Sequence, residues 1–273
     1  MITNYNREAF ISDAINSVLA SEYKNFELII VDDCSTDNSV GIINEFKKND
    51  DRIQFFINEK NLGQFANRNK AASLAKGTFL KYVDSDDIIY PNTLHDMLQG
   101  MLHFPEAALG FCLTHGPCKK PLPYKIEKEE AFQQHFFEGG LLFAGPSGLI
   151  IKRDAFEMVG GYEEYGMPSD NHLTLKIASK FAVVAFPRDL FWWRIHPGQV
   201  FTKNLTNYDN IFNNYMYTKD IILHYSPMST RKNSRILRNL EKIFYLNLSR
   251  LATIKVKPAW ALRLLFKKIG NKY

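Results

Sequence analysis

The chain has 273 residues, 45% of them hydrophobic and 14% aromatic, with a net charge of +5. That is enough apolar material for a sizeable core, and it excludes a collagen-like, low-complexity or wholly disordered chain. Its three cysteines, Cys34, Cys112 and Cys118, are too few and odd in number for a disulfide framework and fit a reducing compartment.

The first ten residues, MITNYNREAF, hold no apolar leader core. No run of about 18 apolar residues occurs, so neither a signal peptide nor a membrane span is expected. Over residues 8–20, Ile11, Ala14, Ile15, Val18 and Leu19 recur at helical spacing. FELIIV (26–31) is a buried-strand run that stops at DDCSTDNS, where Asp37 or a nearby Ser or Thr can cap a helix carrying Val40, Ile43 and Phe46 on one face. RIQFFI (52–57) predicts a second strand. NLGQFANRNKAASLAKG (61–77) predicts a loop and a helix stopping at Gly77, and TFLKYV (78–83) a third strand that delivers DSDD. Strands and helices alternating at this spacing imply an α/β fold with a mostly parallel sheet flanked by helices.

Beyond Pro91 the pattern predicts a helix near 91–102, a strand at ALGFCLT (108–114), a helix opening near Ser169 and a strand at AVVAF (182–186). From about Asn207 the chain reads as helices, with Ile236, Leu240, Ile243, Phe244, Leu248 and Leu251 on one apolar stripe. Charge divides along the same line. Residues 227–273 hold 12 Lys and Arg against the single acid Glu241, a net +11, and residues 1–226 carry −6. Such a tail either packs on the body and binds nothing or meets an anionic surface. In WALRLLFKKIGNKY, Lys267, Lys268 and Lys272 flank Trp260, Leu264, Leu265 and Phe266, which suits a helix lying on an anionic membrane. The tail has no recognised nucleic-acid motif, so no nucleic-acid partner is expected.

Three carboxylates, Asp84, Asp86 and Asp87, crowd into DSDD at the end of an apolar run. They form either a cation site or a solvated turn. Asp84 and Asp86 are two apart and point the same way on extended chain. Their oxygens suit Mn²⁺ or Mg²⁺, hard ions that complete their shell with phosphate oxygens. Asp32 and Asp33 end another strand, and ligands of open α/β sheets bind at the carboxyl ends of strands. Cys112, His115 and Cys118 form a C-x2-H-x2-C run, which lacks the fourth ligand a zinc site needs; a buried or loop cysteine pair is the reading taken.

TNYNRE (3–8), ELIIVDDCSTDNS (27–39), NLGQFANRN (61–69), AKGTFLKYVDSDD (75–87), IIKRDAFEMVGGYEE (150–164), PSDNHLTLKIA (168–178) and WRIH (193–196) occur in an order that resembles the family-2 glycosyltransferases, inverting enzymes with the GT-A fold. The resemblance covers roughly residues 1–200 and leaves out the tail. It implies a nucleotide-sugar-binding half at 1–95, an acceptor-binding half at 96–205 and a helical basic extension at 206–273. It implies that Thr3 and Tyr5 line the nucleotide pocket, that Asp32 or Asp33 meets the uracil or ribose, and that Arg68 lies near base and phosphates. Asp84 and Ser85 would face the donor. Asp84, Asp86 and His196 would meet a Mn²⁺ or Mg²⁺ ion or the diphosphate, and Asp170 would be the catalytic base. The function so implied is metal-dependent, inverting transfer from a nucleotide-sugar donor, a UDP-sugar by family expectation, to a glycan or lipid-linked acceptor. The place implied is the cytoplasm, peripheral on the inner face of the membrane.

Other readings stay beside these. Asp32 and Asp33 can cap the next helix. Asp170 can be a plain helix-start acid. His196 can be structural, Trp192 and Trp193 core or acceptor-wall aromatics, and Arg68 a surface helix residue. Only Met1 and Ile2 precede Thr3, so the sheet is expected to lack its central strand. Cys34 stands where the family has Gly, a costly fit if the backbone there is left-handed. Ser169 replaces the commoner Glu before Asp170. The alternatives in function are a nucleotidyltransferase and a catalytically inactive nucleotide- or membrane-binding scaffold.

Overall fold

The structure, a computed structural model, describes residues 1–114, 120–166, 168–197, 199, 209–253 and 258–270. His115, Cys118, Asn207, Lys272 and the side chain of Trp260 lie outside the described residues. Cys112 is a buried free thiol.

A four-stranded parallel sheet has the order β3-β2-β1-β5, with β1 at Ile2–Asn4, β2 at Leu28–Asp32, β3 at Ile53–Ile57 and β5 at Val83–Asp84. The expected loss of the central strand does not occur. β1 is only three residues long, yet it pairs on both edges, with Ile2 opposite Ile30 and Val83 and Thr3 opposite Val31 and Asp84. Two hydrogen-bonded edges and complete burial of Ile2 hold so short a strand in place. The pleat sends alternate residues to opposite faces. Ile2, Leu28, Ile30 and Val83 pack with Ile11, Ala14, Ile15 and Val18 of α1 (Ile11–Leu19) and Ile43 of α2 (Ser39–Asn49). Ile29 and Val31 pack with Phe65, Ala71 and Ala72 of α3 (Gln64–Leu74).

The TFLKYV run is not one strand. Phe79–Leu80 (β4) joins a second sheet, and Val83–Asp84 continues the first. At the crossing, buried Lys81 donates from Nζ to the carbonyls of Tyr82 and Ser147, and Tyr82 Oη donates to the Arg68 carbonyl at 2.9 Å. Burial lowers the Lys81 pKa to about 8. The second sheet, β4-β9-β7-β10-β8, is mixed. β7 (Ala107–Cys112) and β10 (Ala182–Phe186) run parallel, and β8 (Tyr124–Ile126) and β9 (Leu149–Lys152) pair antiparallel to their neighbours. A small ribbon pairs β6 (Ile88–Ile89) with β11 (Phe191–Trp192) and brings residues 192–196 beside DSDD. Helices α4 (Thr93–His103), α5 (Lys128–Phe137), α6 (Arg153–Met158) and α7 (Ser169–Lys180) complete the body.

The extension forms α8 (Asp209–Asp220), a π turn at Ile221–Tyr225, α9 (Thr230–Thr253) and α10 (Pro258–Gly270). Phe212, Tyr215, Phe244, Leu248, Leu251, Ala261 and Leu264 make its own core. The stripe read from the sequence therefore faces inward, apart from Ile243, which is exposed. Two residues of the expected membrane-facing set also turn inward. Leu264 is fully buried, and Lys268 Nζ bonds Glu241 at 2.5 Å. Among the described residues no helix is long and apolar enough to cross a membrane.

Cys34 has φ +65°, the left-handed conformation anticipated for its position. Cys34→Val is therefore expected to be less stable than Cys34→Gly by about 1–2 kcal/mol, because branching at Cβ worsens the clash that glycine lacks. Denaturant midpoints of the two variants measure the difference.

Candidate active site

Hydrogen bonds tie together the carboxyl ends of β1, β2 and β5. Asn4 Nδ2 donates to Asp32 Oδ2 at 2.7 Å and to Ser35 Oγ at 3.2 Å. Ser35 donates from Oγ to Asp32 Oδ2 and from its amide to Oδ1, and its Oγ accepts the Asn6 amide. Arg7, next in line, donates from Nε to Asp86 Oδ2 at 3.1 Å. Asp32 and Asp86 therefore share one rim, though 54 residues apart in the chain.

Both acids of the VDD turn are consumed internally to a large extent. Asp33 Oδ1 accepts from Asn58 Nδ2 and the Leu62 amide, and Oδ2 from the Gly63 amide, so this carboxylate shapes the loop entering α3. Thr3 is half-buried in β1, Tyr5 is exposed on the loop leaving it, and Ser85 is buried.

Arg68 is the hub. Its guanidinium donates from Nη2 to Asp84 Oδ1 at 2.8 Å and from Nη1 to Asp170 Oδ1 at 3.0 Å, at 7% side-chain exposure. It lies over the rings of Phe65 and Tyr162, and its Nε meets no partner among the described residues. It is thus no surface helix residue. Burial works against its charge, but Asp84 and Asp170 hold its pKa above the ordinary value. α3 supplies the arginine, β5 one acid and the start of α7 the other, three elements distant in sequence. For Asp170, burial pushes the pKa up to about 6; Arg68 opposes the rise and the Asp84 charge adds to it.

Asp86 forms the second centre. Its Oδ2 accepts from Arg7 Nε and lies 3.0 Å from His196 Nε2. Arg194 Nε donates to the Asp86 carbonyl at 2.9 Å, and Phe10 stacks on His196 at 4.4 Å between centroids. Trp192 and Trp193 are exposed, which excludes the core reading for them. No group of three or more His, Cys, Asp or Glu side chains among the described residues is arranged to hold a metal alone. Asp86 with His196 supplies a carboxylate and an imidazole, a pair that fits a divalent ion whose remaining ligands are phosphate oxygens and water.

The motifs leave three contributors without a role. Asp87 is 2% exposed and accepts the Arg194 amide at 3.1 Å. Ser147, on the 3₁₀ turn Pro146–Gly148, accepts the Asp84 amide on Oγ at 2.9 Å. Arg7 stands inside the TNYNRE stretch, so its position was visible; Ser147 reaches Asp84 across 63 residues and carried no local sign.

Burial, and then the charge of Asp84, push the Asp87 pKa up from 3.8 to about 7. An acid raised in the folded state contributes stability fully below its unfolded pKa and loses it as pH rises through the folded one. The window here is therefore from about pH 4 to about pH 7. Asp87→Asn keeps an acceptor for Arg194 and removes the charge. It is expected to raise stability at pH 8 by on the order of 1–3 kcal/mol and to change little at pH 4. Thermal melts at the two pH values measure this.

A model of glycosyl transferase family 2 matches residues 1–160. Among curated proteins, the putative teichuronic acid biosynthesis glycosyltransferase TuaG of Bacillus subtilis is 38% identical over 111 residues, 41% of this chain and 43% of that protein. The UDP-Glc:alpha-D-GlcNAc-diphosphoundecaprenol beta-1,3-glucosyltransferase WfgD of Escherichia coli is 40% identical over 102 residues, 37% of this chain and 40% of that protein. The chain spans less than half the length of these relatives in each match. Of solved structures, S. aureus TarS 1-349 in complex with UDP-GlcNAc superimposes with a TM-score of 0.73 at 19% identity, covering 94% of this chain and 75% of that one. The mannosyltransferase PcManGT from Pyrobaculum calidifontis, in complex with GDP-Man and Mn²⁺, gives 0.63 at 14% identity, covering 98% and 78%. At such identities the likeness establishes the fold alone, the expected GT-A arrangement.

Proposed function

The chain belongs to glycosyl transferase family 2, and from that premise we propose that it is an inverting enzyme moving a sugar from a UDP-sugar to a hydroxyl of a lipid-linked glycan. The observation that carries this reading is the Asp84–Arg68–Asp170 bridge beside the Asp86–His196 pair. A partly buried acid of raised pKa beside a carboxylate and an imidazole, at the carboxyl rim of a parallel sheet, supports a base next to a cation-and-phosphate site.

In this reading residues 1–95 hold the donor, 96–205 the acceptor, and 206–273 form the basic extension. Thr3 and Tyr5 line the nucleotide pocket. Asp32 and Asp33 meet the base or ribose through the lone pairs their internal bonds leave over. Arg68, Asp84 and Ser85 border the diphosphate. Asp86 and His196, with Asp84 near, would hold Mn²⁺ or Mg²⁺, which when bound neutralises charge on the departing nucleotide. Asp170, one oxygen tied to Arg68, offers the other to the acceptor hydroxyl and takes its proton. The hydroxyl attacks the anomeric carbon opposite the diphosphate, so the centre inverts in a single displacement.

The lipid-linked acceptor class is the one named for the Escherichia coli relative. UDP-glucose, UDP-galactose and UDP-GlcNAc, each with a GlcNAc-diphospholipid acceptor and with or without Mn²⁺, form the decisive panel. Release of UDP with a lengthened glycan supports the reading. In a parallel reaction with UTP and a sugar 1-phosphate, pyrophosphate release would indicate nucleotidyl transfer, and no turnover in either arrangement would favour a binding scaffold.

An anionic membrane is the proposed surface partner. Ile243 and Leu246 of α9 and Leu262 and Phe266 of α10 are exposed, with Lys242, Arg250, Arg263 and Lys267 exposed near them in sequence. Apolar side chains fringed by cations suit a headgroup layer. Leu262→Glu with Phe266→Glu is expected to cut sedimentation with anionic vesicles several-fold without lowering thermal stability.

A further inference from the structure

The turn of helix that carries Asp170 is gripped by the C-terminal extension, which lies beyond the residues matched by the family model. Asn171 and His172 directly follow the proposed base. The buried Tyr217 hydroxyl lies beside the Asn171 side chain. His172 Nε2 lies 3.0 Å from Asp220 Oδ2. An ionised carboxylate only accepts, so Nε2 is the protonated ring nitrogen and donates. His172 is fully buried, so loss of its partner would leave a buried donor unsatisfied, which is costly. Asn213 extends the grip, since a Cβ on Gly166 would stand 3.0 Å from its Nδ2. Asn213, Tyr217 and Asp220 lie four and then three residues apart, one face of α8 laid along the start of α7. One turn further along α7, Lys176 bonds Glu163 and lies 5.3 Å from the ring of Tyr225 in the π turn.

We propose that Asp220, through His172, and Tyr217, through Asn171, are positioning residues that fix the first turn of α7 so that the Asp170 carboxylate stays in register with Arg68 and the acceptor hydroxyl. A base displaced by about 1 Å can lose about 100-fold in rate, whereas donor binding rests on other elements. The extension is therefore part of the reacting machinery and not only a surface anchor. This rests on the assignment of Asp170 as base.

The test uses the full chain carrying Asp220→Ala, Asp220→Asn, Tyr217→Phe or Asp170→Asn. UDP affinity is measured by calorimetry and turnover on the UDP-sugar panel. Asp220→Ala is expected to lower kcat about 10-fold or more while UDP affinity stays within about twofold. Asp220→Asn, whose amide oxygen still accepts from His172, is expected to restore most of kcat, and Tyr217→Phe to give a smaller loss. Wild-type kcat in Asp220→Ala beside an inactive Asp170→Asn overturns the positioning role and leaves the base assignment standing. A parallel fall of kcat and UDP affinity also overturns it, since that marks a general loss of structure. Undiminished turnover in Asp170→Asn, or none in the wild type, sinks the underlying function and this proposal with it.

Discussion

Asp170→Asn is expected to lower kcat by about 10²–10⁴-fold while UDP affinity stays near the wild-type value. The substitution keeps the size of the side chain and an oxygen for Arg68, so the bridge to Nη1 can persist. What it removes is the ability to accept a proton. With a pKa of about 6, Asp170 is mostly ionised at neutral pH yet basic enough to help an acceptor hydroxyl. Turnover of the native protein should therefore fall on acidification through about pH 6, as the base becomes protonated. Steady-state rates of both forms between pH 5 and pH 8, with UDP titrations alongside, measure the two effects. A carboxamide variant that turns over normally would return Asp170 to the status of an ordinary helix-start acid.

Arg68→Ala is expected to be the most destabilising single change at the site, by on the order of 1–3 kcal/mol, because it removes the one buried member of the group and leaves two partly exposed carboxylates unpaired beside each other. Asp84 and Asp170 would face each other without the guanidinium that now bonds both. The contacts with Phe65 and Tyr162 would also be lost. Arg68→Lys keeps the charge, but a single ammonium cannot reproduce the two-pronged geometry, so only part of the stability should return. If the lysine variant folds, its Asp170 should titrate higher than in the native protein, since Arg68 is what holds that pKa down. The acid limb of its rate profile would then shift to higher pH. Denaturation curves measure the first effect and the pH profile the second. A stable, fully active Arg68→Ala would show that the bridge has no role.

Much of the fold was legible because its cues are local. The run FELIIV, the helical spacing of Ile11 to Leu19 and the strand-end position of DSDD each follow from neighbouring residues, and β2, α1 and β5 stand where these cues put them. Two elements were not legible. TFLKYV has the composition of one strand, but its halves join different sheets, a choice made by pairing partners about 70–80 residues away in β9 and β1. Three residues at the start of the chain carry no periodicity, and only the two flanking strands make Ile2–Asn4 a strand. In the extension, spacing showed that α9 and α10 are amphipathic. Which apolar side chains turn inward depended on how the helices pack, and the bond to Glu241 reversed the expected orientation of one lysine, Lys268.

The sequence by itself determined which chemical groups are present: the acids of DSDD and VDD at two strand ends, the arginine of NLGQFANRN and the aspartate of PSDN on helices, and the histidine of WRIH. Tertiary structure alone decided their partners. Arg68 meets Asp84 across 16 residues and Asp170 across 102, and Asp86 meets His196 across 110. It also turned most of the Asp32 and Asp33 bonding capacity toward the protein's own loops. The physical reason is range. Propensity and hydrophobic period act over a few residues, whereas the pairing and desolvation of charges depend on whatever the fold brings within about 3–4 Å.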